Sequence, residues 1–145
     1  MRDMEPRTAG GRSLVLCVDD EASILSSLER LLKREPYVLR TTRKPMDVLG
    51  WLREEEVGLV ISDQKMPEMM GTDLLDRVHQ ISPATARMLL TGYPGSSMVL
   101  KSSLLGIQAM FDKPWDDEAL KRTIRAILHL QVAKVDPRID KEDAS

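Results

Sequence analysis

The chain has 145 residues, 42% of them hydrophobic and 30% charged, with a formal net charge of -2 at pH 7. That length suits one domain with a full hydrophobic core, and the even charge balance argues against direct nucleic-acid or membrane-surface binding. No apolar run approaches the roughly 20 residues that cross a bilayer, and the polar start, broken by Pro6, Gly10 and Gly11, lacks the apolar core of a secretory signal, so a cytoplasmic location is expected.

Residues 1–12 read as a flexible lead, 13–133 as the folded unit and 134–145 as a polar tail. The first strand is predicted at Leu14 to Val18, a continuous apolar run of the kind covered on both faces. It contains the single cysteine, Cys17, which reads as a buried, inert thiol. A helix follows from Ala22 to Lys33, with Ile24, Leu28, Leu31 and Leu32 spaced as one inward stripe. Tyr37 to Thr41 reads as the second strand, and Pro45 to Arg53 as a helix opened by its proline.

Gly58 to Ile61 reads as the third strand, running directly into Ser62 and Asp63. After Gly71 a helix is predicted from Thr72, placed as its cap, to Ile81. Arg87 to Leu90 is the fourth strand, ending at Thr91 and Gly92. A helix from Ser96 or Ser97 to Leu105 carries a single charge, Lys101, and more apolar residues than one stripe needs. The fifth strand centres on Ala109 to Phe111. The last helix starts after Pro114, with acidic Asp116, Asp117 and Glu118 at its positive end and Leu120, Ile124, Ile127 and Leu128 facing inward.

Strands alternating with helices in this way predict an α/β fold: a flavodoxin-like, doubly wound (βα)5 unit with a five-stranded parallel sheet in the order 2-1-3-4-5. In such sheets the functional crevice lies beyond the carboxyl ends of the strands. Asp19 and Asp20 follow the first strand, Asp63 the third, Thr91 the fourth and Lys113 the fifth, so the polar groups fall where that rule puts a site.

An aspartate at a strand end, taken alone, is more often a turn residue than a ligand. Three carboxylates gathered at one sheet edge repel one another unless a cation lies between them, and an oxygen-only donor set selects a hard ion such as Mg2+ or Mn2+. A lysine and a hydroxyl beside them supply a positive charge and a donor for phosphoryl oxygens. Together these groups describe phosphoryl transfer to an aspartate nucleophile. His79 and His129 stand alone on helical patterns and read as structural or solvent-facing.

These residues resemble the receiver domains of two-component response regulators. The matching motifs are Val18-Asp19-Asp20-Glu21, Asp63-Gln64-Lys65-Met66-Pro67 with Gly71, Leu90-Thr91-Gly92 and Lys113-Pro114-Trp115. They occur in family order over residues 13 to 131. The resemblance implies that Asp63 accepts the phosphoryl group and that Asp20 binds the metal directly, with Asp19 acting largely through metal-bound water. The backbone carbonyl of Lys65 completes the protein's share of the metal shell, while Thr91 and Lys113 meet the phosphoryl oxygens and Gly92 leaves them room. Glu21 either touches metal-bound water or serves as an acid at a helix start. A cis bond is expected at Lys113-Pro114.

The resemblance also implies partners: a histidine kinase or phosphotransfer protein as donor, and a downstream protein or a second copy on the face formed by the fourth helix, fifth strand and fifth helix. Thr91 would move toward the phosphoryl group as the switch. The usual switch aromatic, three residues before the lysine, is here Met110, and Phe111 points to the opposite side of the strand. Lys65 and Tyr93 occupy the positions that control water access to the acyl phosphate.

Three rivals stay open. An aspartyl-phosphate phosphatase would carry a second acid two residues after the nucleophile, where this chain has Lys65. A second rival is the same receiver as the N-terminal part of a longer regulator, a cyclic-dinucleotide phosphodiesterase or a transcription factor, since the run from Lys113 to Glu118 resembles receivers attached to such outputs. A phosphorylation-independent adaptor is disfavoured by the complete acidic site. The expectation is a signalling phosphoacceptor, whose only catalysis is its own phosphorylation and slow dephosphorylation.

Overall fold

The computed structural model describes residues 13–92 and 95–135. The expected lead, residues 136–145 of the tail expected from 134, and Tyr93 lie outside the described residues, while residues 134 and 135 of that tail belong to the last helix. The elements are β1 (Leu14–Val18), α1 (Ala22–Leu31), β2 (Val38–Thr42), α2 (Pro45–Glu54), β3 (Leu59–Asp63), α3 (Gly71–Ile81), β4 (Ala86–Thr91), α4 (Ser96–Leu104), β5 (Ala109–Asp112) and α5 (Asp117–Val135). The sheet is wholly parallel in the order β2-β1-β3-β4-β5, as the sequence predicts.

Side chains alternate across each strand, so the continuous apolar runs feed two cores. Val15, Cys17, Leu59, Ile61, Met88 and Leu90 face one side, with Leu25 and Leu28 of α1 and Leu120, Ile124 and Leu128 of α5. Leu14, Leu16, Val18, Val60 and Leu89 face the other, beneath Val48, Leu49 and Leu52 of α2 and Leu74, Leu75 and Val78 of α3. Each fully buried leucine contributes about 1.5–3 kcal/mol relative to an exposed one, which makes this two-sided coverage the main cohesive force. Burial raises the pKa of the Cys17 thiol, keeping it protonated and unreactive.

Several predicted boundaries move. α1 ends at Leu31 instead of Lys33, and its fully inward positions are Leu25 and Leu28, with Ile24 half-buried. β3 and β4 continue to Asp63 and Thr91, because the parallel pairing carries on to Asp63 opposite Leu90. Thr72 is not the cap of α3: the helix begins at Gly71, with Met70 in the cap position and Thr72 buried in its first turn. Gly71 must be glycine here, since a Cβ would lie 2.0 Å from the carbonyl oxygen of Asp63.

Two polar ties hold the edges. Arg125 of α5 grips Glu35 with Nε to Oε1 at 2.7 Å and Nη2 to Oε2 at 2.6 Å; the hydrogen bonds from Arg125 keep the Glu35 carboxyl below its ordinary pKa. The Arg87 guanidinium, buried on β4, donates to the carbonyls of Leu75 and Gly106 at 3.3 and 3.0 Å, joining α3 to the turn before β5. The surplus of apolar residues on α4 lies outside the core: Val99, Leu100 and Leu104 are 52, 60 and 78% exposed. Among the described residues no helix is long and apolar enough to cross a membrane.

Candidate functional site

The carboxyl ends of β1, β3, β4 and β5 converge. Asp63 ends β3 and Thr91 ends β4, while Asp19 and Asp20 follow β1 and Lys113 follows β5. Asp19, Asp20 and Asp63 each bring a carboxylate oxygen within 4.8 Å of the others, and Asp19 and Asp63 are buried. The Lys113 ammonium donates to Asp19 Oδ2 at 2.7 Å and to Asp63 Oδ1 at 3.0 Å, with Glu21 Oε1 at 3.7 Å. Three carboxylates against one ammonium leave the cluster negative. An all-oxygen donor set of that charge fits a hard divalent cation.

The electrostatics follow from burial. Desolvation raises the pKa of Asp63, the neighbouring Asp19 charge adds to the rise, and the hydrogen bond from Lys113 offsets only part of it. Asp19 is likewise raised by desolvation, against hydrogen bonds from Lys113 and from the Glu21 N–H at 2.9 Å. Burial alone would lower Lys113, but its bonds to the two carboxylates prevail and raise it, so the ammonium keeps its proton.

Other predicted residues take their places around this cluster. Thr91 is fully buried, and its carbonyl accepts the Lys113 N–H at 2.9 Å, which ties the ends of β4 and β5 together. The Lys113-Pro114 bond is cis, as expected. A Cβ on Gly92 would meet nothing within 4 Å, so the space beside Thr91 is open. The side chain of Lys65 is exposed, two residues beyond Asp63. Met110 packs on the α2–α3 side of the sheet and Phe111 on the α1–α5 side, the opposition that strand alternation predicts. The Ser102 hydroxyl of α4 donates to Met110 Sδ at 3.8 Å.

The structure adds residues that sequence reasoning missed. The Arg43 Nε–H donates to the Asp20 carbonyl at 3.0 Å, bracing the acidic turn from the loop after β2. The Ser62 hydroxyl donates to the Asp63 carbonyl at 2.8 Å. Buried Gln64 bonds to Thr72 through both ends of its amide. No periodicity announces these contacts.

Residues 15–125 match the family model for the response regulator receiver domain. The hydrogenase transcriptional regulatory protein HoxA of Bradyrhizobium diazoefficiens is 31% identical over 117 residues, which cover 80% of this chain and 24% of that protein. Sporulation initiation phosphotransferase F of Bacillus subtilis is 27% identical, covering 81% of this chain and 94% of that protein. Among solved structures, the signal receiver domain of an HD domain-containing protein from Pseudomonas fluorescens Pf-5 is 40% identical with a TM-score of 0.80, covering 85% of this chain and 91% of that one. The chain spans about a quarter of the length of the transcriptional regulators it matches. With its sheet order, its acidic edge and these likenesses in agreement, the chain belongs to the response regulator receiver domain family, whose members are signalling phosphoacceptors rather than classical enzymes.

Proposed function

We propose that this chain is a cytoplasmic phosphorylation switch in which Asp63 takes a phosphoryl group from a phosphorylated histidine of a kinase or phosphotransfer protein. The observation that carries this reading is the gathering of Asp19, Asp20 and Asp63 carboxylate oxygens within 4.8 Å of one another, two of these residues bonded to the Lys113 ammonium. A carboxylate oxygen of Asp63 bonds to phosphorus as the P–N bond breaks, and the departing imidazole takes up a proton. Asp20, Asp63 and the Lys65 carbonyl, with Asp19 through water, would hold Mg2+ or Mn2+, which supplies positive charge to the phosphoryl oxygens. Lys113 and the Thr91 hydroxyl meet those oxygens from the neighbouring strands, and the chain catalyses its own phosphorylation and slow dephosphorylation.

Thr91 and Met110 are the switch residues in this reading, and Lys65 and Tyr93 set the lifetime of the acyl phosphate. The exposed Val99, Leu100 and Leu104 of α4, beside β5 and α5, form the face for a downstream protein or a second copy. The folded unit begins at residue 13 and closes with α5. Incubation with Mg2+ and a small acyl or amidophosphate donor, followed by intact mass measurement, tests the proposal: one phosphoryl group is gained, and Asp63→Asn gains none. A wild-type protein that gains none overturns it.

A second reading is supported by lengths: the matched transcriptional regulators are about four times longer, and the Pseudomonas receiver belongs to an HD domain-containing protein. This chain is then the receiver portion of a longer regulator. An immunoblot of the native protein from its source separates the two by size.

A further inference from the structure

The loop that leaves the phosphoacceptor closes on itself. Seven residues, 64–70, separate β3 from α3, yet the Gly71 N–H donates to the Gln64 carbonyl at 2.8 Å. The missing side chain of Gly71 lets the helix start against the Asp63 carbonyl, an oxygen that also accepts from Ser62. Gln64 then reaches across the closed loop. Its Oε1 accepts the Thr72 backbone N–H at 2.9 Å, and its Nε2 donates to Thr72 Oγ1 at 3.3 Å. A backbone N–H only donates, which fixes the amide orientation.

The Thr72 N–H is among the first-turn donors that lack a partner within a helix, and Gln64 serves as its cap from outside. Gln64 is 3% exposed and Thr72 0%. A buried amide is costly unless both its ends are bonded, so each residue needs the other. With the Gly71 contact, the pair holds the peptide after Asp63 at both ends, and the next residue in the loop is Lys65.

We infer that Gln64 and Thr72 are positioning residues for the divalent-cation site: their paired hydrogen bonds hold the turn carrying Lys65 in one conformation, so that its carbonyl completes the oxygen shell without reordering. This rests on the reading of Asp19, Asp20, Asp63 and the Lys65 carbonyl as the metal site. Removing a hydrogen-bonded support behind a metal ligand typically weakens metal binding about 10–100-fold.

The test is calorimetric titration of the intact chain with MgCl2, together with thermal melting in EDTA. Gln64→Leu, which loses both bonds, binds Mg2+ about tenfold more weakly. Thr72→Val keeps the backbone bond and loses affinity about threefold, and Thr72→Ser binds as the wild type does. The double variant Gln64→Leu/Thr72→Val is no weaker than Gln64→Leu alone, because the second change removes a bond already lost. Wild-type Mg2+ affinity in folded Gln64→Leu and Thr72→Val, with lowered melting temperatures only, overturns the inference and leaves the metal site standing. Absence of Mg2+ uptake by the wild type overturns both.

Discussion

Lys113 makes its shortest hydrogen bond to Asp19, at 2.7 Å and across 94 residues of chain, rather than to Asp63 at 3.0 Å. The ammonium thus acts as the counter-ion of the acidic cluster. In the proposed function it also turns toward an incoming phosphoryl oxygen.

Replacing Lys113 with Met separates these two roles. Without the ammonium the carboxylates attract Mg2+ more strongly, by about 1 kcal/mol for a partly solvated contact, or about fivefold in affinity. Phosphorylation by a small donor slows about a hundredfold, the usual effect of losing one donor to developing charge. Calorimetry and intact mass measure the two separately. Weaker Mg2+ binding in Lys113→Met would contradict the counter-ion role.

The charge on Asp63 destabilises the fold in the absence of metal. Its pKa is raised, chiefly by desolvation and then by Asp19, so between the raised value and the ordinary aspartate value near 3.9 the folded state binds more protons than the unfolded chain. Stability therefore falls as pH rises through that window. Asp63→Asn should melt a few degrees, about 2–5 °C, above wild type at pH 7 in EDTA, and the advantage should vanish as pH falls to the ordinary aspartate range. Mg2+ at 100 times its Kd should stabilise the wild type by about 2.7 kcal/mol and the variant far less. An Asp63→Asn melting temperature equal to or below wild type in EDTA would falsify the reading of a destabilising charge.

What was legible from the sequence was whatever depends on local pattern. The continuous apolar runs of the first and third strands gave away a sheet covered on both faces, since Leu14 to Val18 and Leu59 to Ile61 are all buried, and strand alternation assigned Met110 and Phe111 to opposite sides. The acidic cluster was legible because each member stands at a strand end, where a parallel sheet gathers groups distant in sequence. Thr72 was misread because a threonine after glycine looks like a cap, whereas close approach to the Asp63 carbonyl draws Gly71 itself into the helix. The bonds between Gln64 and Thr72, from Arg43 to the Asp20 carbonyl and from Arg87 to the Gly106 carbonyl depend on how loops fold over the elements, and no short-range pattern encodes that.

Met110 should transmit the switch softly. The residue is half-buried against α4, touching Ser102, and an unbranched thioether adopts several rotamers where an aromatic ring holds few. In Met110→Ala the change in α4 amide exchange on phosphorylation should stay within about threefold of wild type, because neighbours refill so adaptable a contact. Mass-detected hydrogen exchange measures it. Loss of the α4 response would show that Met110 works as a rigid lever.

The acyl phosphate should be long-lived. Lys65, whose side chain is exposed two residues beyond Asp63, and Tyr93, two residues beyond Thr91 and outside the described residues, are both large enough to shield the acyl phosphate from attacking water. The double variant Lys65→Ala/Tyr93→Ala should lose its phosphoryl group several-fold faster once the donor is removed, roughly the effect expected from opening a site to solvent. An unchanged decay rate, followed by intact mass, would remove the idea.

Gly71 should tolerate no side chain. A Cβ there would lie 2.0 Å from the Asp63 carbonyl oxygen and 2.9 Å from its carbon, and both are backbone atoms that cannot rotate away as a side chain would. Gly71→Ala must therefore shift either the first turn of α3 or the end of β3. Overpacking usually costs about 1–3 kcal/mol, and a backbone clash belongs at or above the upper end of that range. If the end of β3 yields, the Asp63 carboxylate moves relative to Asp19 and Lys113; if α3 yields, the Gly71 N–H leaves the Gln64 carbonyl and the loop beyond Asp63 opens. Gly71→Ala should thus melt well below wild type and, even where still folded, accept phosphoryl groups at least tenfold more slowly. Gly92→Ala, whose Cβ would meet nothing within 4 Å, should melt close to wild type. A Gly71→Ala protein as stable and as readily phosphorylated as the wild type would mean that helix and strand do not meet at Asp63 in this way.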